Sequence, residues 1–206
     1  MKNLEKKSEW VYKYDERFPE KEQIIGVRYV LGEVFDPTKT KALICIGINP
    51  STATPEKLDA TLNKVRKYAQ ELGEYGAWYM LNVYPQRSTN PNGMHANDRF
   101  SSEIHERNLA EVRTLLDTIP VADVWCAWGN NINKRRYLSD MLYGSTEKGV
   151  SGLLSLFGGN HALKAHAVTK SGHPAHPLAR ISISRLIELN RFPNLNDRLK
   201  RTTSNG

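Results

Sequence analysis

Cysteine is almost absent from this chain. Its 206 residues hold two, Cys45 and Cys126. Two thiols cannot supply a four-thiolate zinc or iron–sulfur site. Both lie in apolar, strand-like runs and read as buried, reduced thiols of a cytoplasmic protein. Long apolar runs are missing as well. None approaches the ~20 residues of a membrane span, so no membrane partner is expected. Residues Met1 to Glu9 are charged and lack an apolar h-region, which argues against a secretory signal. There is no internal repeat and no low-complexity linker. His95, His105, His161 and His166 have no ligand-like spacing, so no metal and no cofactor is expected. Acidic residues are in deficit: 22 against 29 Lys and Arg, for a net charge of +7. Such a surface favours polyanions, nucleic acid first.

What is present is a series of short apolar runs, each closed by a polar turn. Ala42 to Ile46 is continuous and β-branched, as a strand buried on both faces reads. It breaks at Gly47 and ends in Asn49-Pro50-Ser51-Thr52, where Pro50 keeps Asn49 out of helical dihedrals. Residues 26–35 partly alternate and predict an antiparallel or edge strand. Further strands are expected at 77–83, 121–128 and 163–169. Helices are expected at 58–72, 101–117, 132–143 and 179–190, with a short helix and turn at 149–159. A long polar loop spans 86–99, a length usual for functional or mobile segments. Residues 1–26 form a mixed arm in which Trp10, Tyr12, Tyr14 and Phe18 pack onto the body. The tail beyond Pro193 is polar and basic. This describes a single α/β domain, with an arm (1–26), a core (27–190) and a tail (191–206). The core is expected to be three-layer α/β/α, with a central, mainly parallel four-stranded sheet and an N-terminal strand extension. In such a sheet the turns at Asn49, at Asn82 to Pro85, at Gly129 to Asn131 and at His173 gather along one edge. Open α/β sheets bind ligands there.

Gly47-Ile48-Asn49-Pro50 resembles the water-positioning motif of the mismatch-specific branch of the uracil-DNA glycosylase superfamily. Leu81-Asn82-Val83 resembles the strand end whose Asn reads the base in its uracil enzymes. Trp125 to Asn130 is similar to the apolar strand ending in Gly before a helix. His173-Pro174-Ala175-His176-Pro177-Leu178-Ala179-Arg180 is similar to the C-terminal His-Pro motifs. The motifs occur in the family's order over roughly residues 42–185. The chain as a whole also looks like a bacterial and phage domain family without an established activity.

The resemblance implies a glycosylase-like fold and hydrolysis of an N-glycosidic bond, leaving an abasic site. Asn49 would orient the water, since an amide cannot serve as a full base. His173 would stabilise the leaving base anion, with His176 as the other histidine matching the motif. Asn82 would read the edge of a base flipped into the pocket, among Gly47, Ile48, Pro50, Ser51 and Tyr84. Leu178 or Arg180 would enter the DNA stack. Arg87, Lys134, Arg135, Arg136, Lys170, His176 and Arg180 would meet DNA. No Tyr follows Pro50, which leaves room for a bulkier or modified pyrimidine. The phage association makes a modified viral base the expected substrate, in defence against phage with modified DNA. A monomer is expected. Two other readings stay open: a hydrolase of free nucleosides or nucleotides, and a non-catalytic nucleic-acid-binding module. Each residue also has an ordinary reading. Asn49 or Ser51 can be a cap, Asn82 a satisfied core amide, His173 and His176 loop histidines capping a last helix. Residues 134–136 can be a solvated face, and Trp125 and Trp128 core.

Overall fold

A computed structural model describes residues 8–20, 23–180 and 182–191, with the side chains of 17–25 outside the description. Phe18's side chain and the tail from 192 therefore lie outside the described residues. Seven strands form one mixed sheet: β1 (Glu9–Glu20), β2 (Gln23–Val34), β3 (Lys41–Gly47), β4 (Ala77–Asn82), β5 (Val121–Cys126), β6 (His161–Ala165) and β7 (Ile187–Glu188). Their order across the sheet is β1-β2-β4-β3-β5-β6-β7. The pairs β3/β4, β3/β5 and β5/β6 are parallel, while β1/β2, β2/β4 and β6/β7 are antiparallel. The helices are α1 (Ala60–Glu71), α2 (Ser102–Leu116) and α3 (Arg136–Tyr143). Among the described residues, no helix is long and apolar enough to cross a membrane.

The period of two along β3 divides the core. Ala42, Ile44 and Ile46 join a cluster that takes Ile104, Leu109 and Val112 of α2 and Leu138 and Met141 of α3. Leu43 and Cys45 join a second cluster with Leu62, Val65 and Ala69 of α1. A strand covered on both faces has no polar register to keep, which is why 42–46 is unbroken apolar sequence. Capping sets the helix starts. Asp59 accepts the Leu62 N–H and Ser101 accepts the Ile104 N–H.

Three expectations change. The arm is a strand: β1 runs antiparallel along β2 from Glu9↔Val34 to Glu20↔Gln23. Trp10 meets Trp78 edge-on at 6.2 Å, and Tyr12 stacks on Tyr14. Its exposed charges, Glu9, Lys13 and Glu16, suit an edge that must not pair further. The final helix is not formed by the described residues of 179–190. Ser182-Ile183-Ser184 has poor helix propensity, and Ile187 instead pairs with Ala165 at the edge of β6. The loop at 86–99 is packed rather than loose. Gln86, Met94 and His95 are buried, and Arg135 donates to the carbonyls of Asn92 (2.5 Å), Met94 (3.2 Å) and His95 (2.9 Å).

Candidate functional site

Parallel pairing puts the C-terminal ends of β3, β4 and β5 side by side, and the turns that follow them are stitched together. Val83 and Tyr84 N–H donate to the carbonyls of Gly47 (3.0 Å) and Ile48 (2.9 Å), and Ala127 N–H donates to Ile46 O (2.9 Å). Gly129 takes a left-handed φ of 58° that a side chain would resist. Its N–H donates to Pro174 O at 2.9 Å, drawing the His-Pro segment onto this edge. A cavity of about 220 Å³ opens here. That is smaller than the ~300–1,000 Å³ usual for drug-sized ligands.

Gly47, Ile48, Asn49, Ser51 and His176 of the expected site line this cavity. Asn49 Nδ2 donates to Ser88 O (2.8 Å) and to Pro50 O (3.2 Å). With its nitrogen so held, the amide has its acceptor Oδ1 left for a ligand or water. Ser51 Oγ donates to the Asp59 carboxylate, a short contact. His176 Nδ1 accepts the Leu178 N–H at 3.2 Å, which leaves Nε2–H as the donor. Burial lowers the His176 pKa and the Asp59 charge opposes that shift, so the neutral form is favoured.

Asn82 ends β4 in register with Gly47. Its side chain is fully buried, and neither Nδ2 nor Oδ1 has a hydrogen-bond partner. A Cβ placed on Gly47 would come 3.3 Å from Asn82 Oδ1 and 2.6 Å from Met80 Cε. Gly47 and Met80 both line the cavity. Asn82 itself does not line the cavity; its amide lies covered, behind the wall that Gly47 and Met80 form. Leaving a buried polar atom unpaired costs about 1–3 kcal/mol. An ordinary core amide would not carry two.

Other expected residues stand apart from the cavity. His173 is 2% exposed and braces its loop: Nε2 lies 3.1 Å from Asn133 Nδ2, and its N–H donates to Thr169 Oγ1. Tyr84 is in the core, its hydroxyl 2.6 Å from His95 Nδ1 and accepting the Ser101 N–H. Pro50 is buried in the turn, where its carbonyl accepts the Ser88 N–H. Arg87 is half-buried, donating to Ser51 O at 2.8 Å and lying over Tyr14. Arg135 is the loop clamp described above. Lys134, Arg136, Lys170 and Arg180 are exposed, and Leu178 presents 46% of its surface. No group of three or more His, Cys, Asp or Glu is arranged to hold a metal among the described residues.

The cavity also holds residues that the motifs did not nominate. Arg28 reaches it from β2, 1% exposed. Asp59 and Thr61 come from the start of α1, and Trp128 and Asn131 from the turn after β5. Trp128 Nε1 is buried without a partner. A lone cation between Val27 and Tyr29-Val30-Leu31 is the signal that could have pointed to Arg28. Asp59, the cap of α1, carries no such signal in the sequence.

The profile of a family described as "Protein of unknown function (DUF1643)" matches residues 28–178, and the chain belongs to that family. The matched span includes every residue that lines the cavity. Comparison with curated proteins and with solved structures returns no match.

Proposed function

We propose that this member of the DUF1643 family is a monofunctional DNA glycosylase acting on a modified or damaged pyrimidine in the cytoplasm. The observation that carries the reading is the buried Asn82 amide, with donor and acceptor both unpaired beside a cavity at the C-terminal edge of the sheet. A planar amide with both atoms free suits the paired donor and acceptor on a pyrimidine edge. The packing of α1 on one side of β3 and of α2 and α3 on the other supports a three-layer core of the glycosylase kind.

In the proposed reaction the water oxygen bonds to the sugar's anomeric carbon. The glycosidic C–N bond breaks with its electron pair on the base. Asn49 Oδ1 orients the water, and the Asp59 carboxylate in the same cavity takes its proton. The His176 Nε2–H donates to the oxygen on which the leaving base gathers charge. This role passes from His173 to His176 because His176 is the one that lines the cavity. Exposed Lys134, Arg136, Lys170 and Arg180 supply phosphate contacts.

Mass spectrometry of bases released from uracil-containing, mismatched and hypermodified phage DNAs tests the reading. Wild type is expected to release one base, and Asn49→Ala to lose about 10²-fold or more. Wild type that binds these DNAs but releases nothing from any of them overturns it. Release from mononucleotides alone would make the chain a nucleotide hydrolase.

A further inference from the structure

Arg28 is the only buried arginine among the described side chains. Its guanidinium is 1% exposed, yet no carboxylate of the described residues lies within salt-bridge reach of it. One hydrogen bond holds it, from Nη1 to Ala53 O at 3.0 Å. Nε is buried without a partner. The edge formed by Nε and Nη2 is the side that grips two oxygens of a carboxylate or phosphate at once. That edge is uncommitted, and Arg28 lines the cavity.

The backbone around it is firmly set. Arg28 N–H donates to Pro85 O at 2.9 Å, and Val27 bridges Gln86. Ala53 O, the acceptor for Nη1, follows directly on the Asn49-Pro50-Ser51 turn. The guanidinium is therefore anchored at one end and open at the other. Burial lowers its pKa to about 10, with the Asp59 charge opposing and Arg87 adding to the shift. It stays cationic at neutral pH, so a buried charge awaits a partner.

We propose that Arg28 forms an anion subsite in the cavity, taking a carboxylate or phosphate group of the ligand on its Nε–Nη2 edge. The proposal rests on reading the cavity as the substrate site. It adds that the substrate's deepest group is negatively charged. Two sources share this chemistry: a nucleotide phosphate and an acidic substituent on the base. Arg28 is too deep to meet the outer backbone of DNA as the exposed lysines and arginines can.

Thermal unfolding of the full chain, titrated with inorganic phosphate or with sodium acetate against KCl of equal ionic strength, tests it. Wild type is expected to show a saturable rise of a few degrees with one of the anions and none with KCl. A phosphate response assigns the group to a nucleotide phosphate, an acetate response to a carboxylate on the base. Arg28→Met should lose the response while melting at or above wild type without anion, because an unpaired buried charge is gone. Arg28→Lys keeps the charge, loses the fork and should bind roughly tenfold more weakly. It decides the matter if Arg28→Met does not fold. No saturable rise in wild type, or an undiminished one in either variant, overturns the proposal. Neither readout involves base release, so the subsite and the glycosylase reading can fail separately.

Discussion

The two ends of the parallel strands treat buried polar groups in opposite ways. At the end where β3 and β5 begin, Asp123 accepts from Lys41 (2.9 Å), Lys164 (2.7 Å) and the Tyr75 hydroxyl (2.7 Å). Near the start of β4, Glu33 is fully buried and takes Arg66 bidentately, at 2.7 and 2.8 Å, with Trp78 Nε1 at 3.0 Å. Burial pushes both carboxyls up, but these hydrogen bonds outweigh it and hold both below their ordinary values. At the other end Asn82 has no partner for either amide atom, Trp128 none for Nε1, and the fork of Arg28 is empty. One arginine fork is filled by this chain's own carboxylate, and the other is open into a cavity. A fold satisfies its polar groups where only stability is at stake. The groups left unpaired at this edge are the ones the proposed ligand would satisfy.

This contrast can be broken from either end. Asp123→Asn should produce the largest change, a loss of about 2–3 kcal/mol in denaturant unfolding, because Lys164 loses its charge partner and Lys41 keeps only Glu74. Asn82→Leu should act in the opposite direction. Removing two unpaired polar atoms at similar volume is expected to be neutral or to stabilise by up to about 1–2 kcal/mol, while base release disappears. A clear destabilisation would mean that the amide is already satisfied in solution. Gly47→Ala should be smaller still in stability, below about 1 kcal/mol, since the far end of Met80 can move aside. Its effect should fall on base release, because the new methyl stands 3.3 Å from Asn82 Oδ1, where a base would have to reach it.

Acid sharpens the comparison least. Burial holds His105, His166 and His176 below the ordinary value of 6.5. As pH falls below 6.5 the unfolded chain takes up protons first, so the folded state loses stability through the depressed values and keeps it above 6.5. Melting temperatures from pH 8 to pH 5 should fall gradually. His176→Gln should flatten part of that slope.

The strand-to-turn units were legible because local chemistry writes them. Apolar β-branched residues end at Gly47-Ile48-Asn49-Pro50, and the covered faces of β3 impose that pattern whatever lies across it. Asn49, Ser51 and the choice between two histidines could be named from the same stretches. The arm at 9–20 was not legible, because an edge strand carries outward charges and reads as mixed sequence. Nor was the fate of 182–188, which depended on a vacant edge of β6. Arg135 read as a surface cation, but the first loop carbonyl it clamps, Asn92 O, lies 43 residues earlier in sequence.

The sequence by itself determined that the chain is α/β, that polar turns follow the apolar strands, and which amides stand in them, with two histidines in a further segment. Those features come from backbone dihedrals and side-chain periodicity, which act over a few residues. Tertiary structure alone decided that His176 rather than His173 lines the cavity, that Arg28 crosses from β2 to reach it, and that Asp59 shares it. It also decided that Asn82 lies unpaired behind Gly47. Whether a buried polar atom finds a partner depends on which residues, distant in sequence, the sheet order brings within 3 Å or so of it. Local pattern carries no record of that.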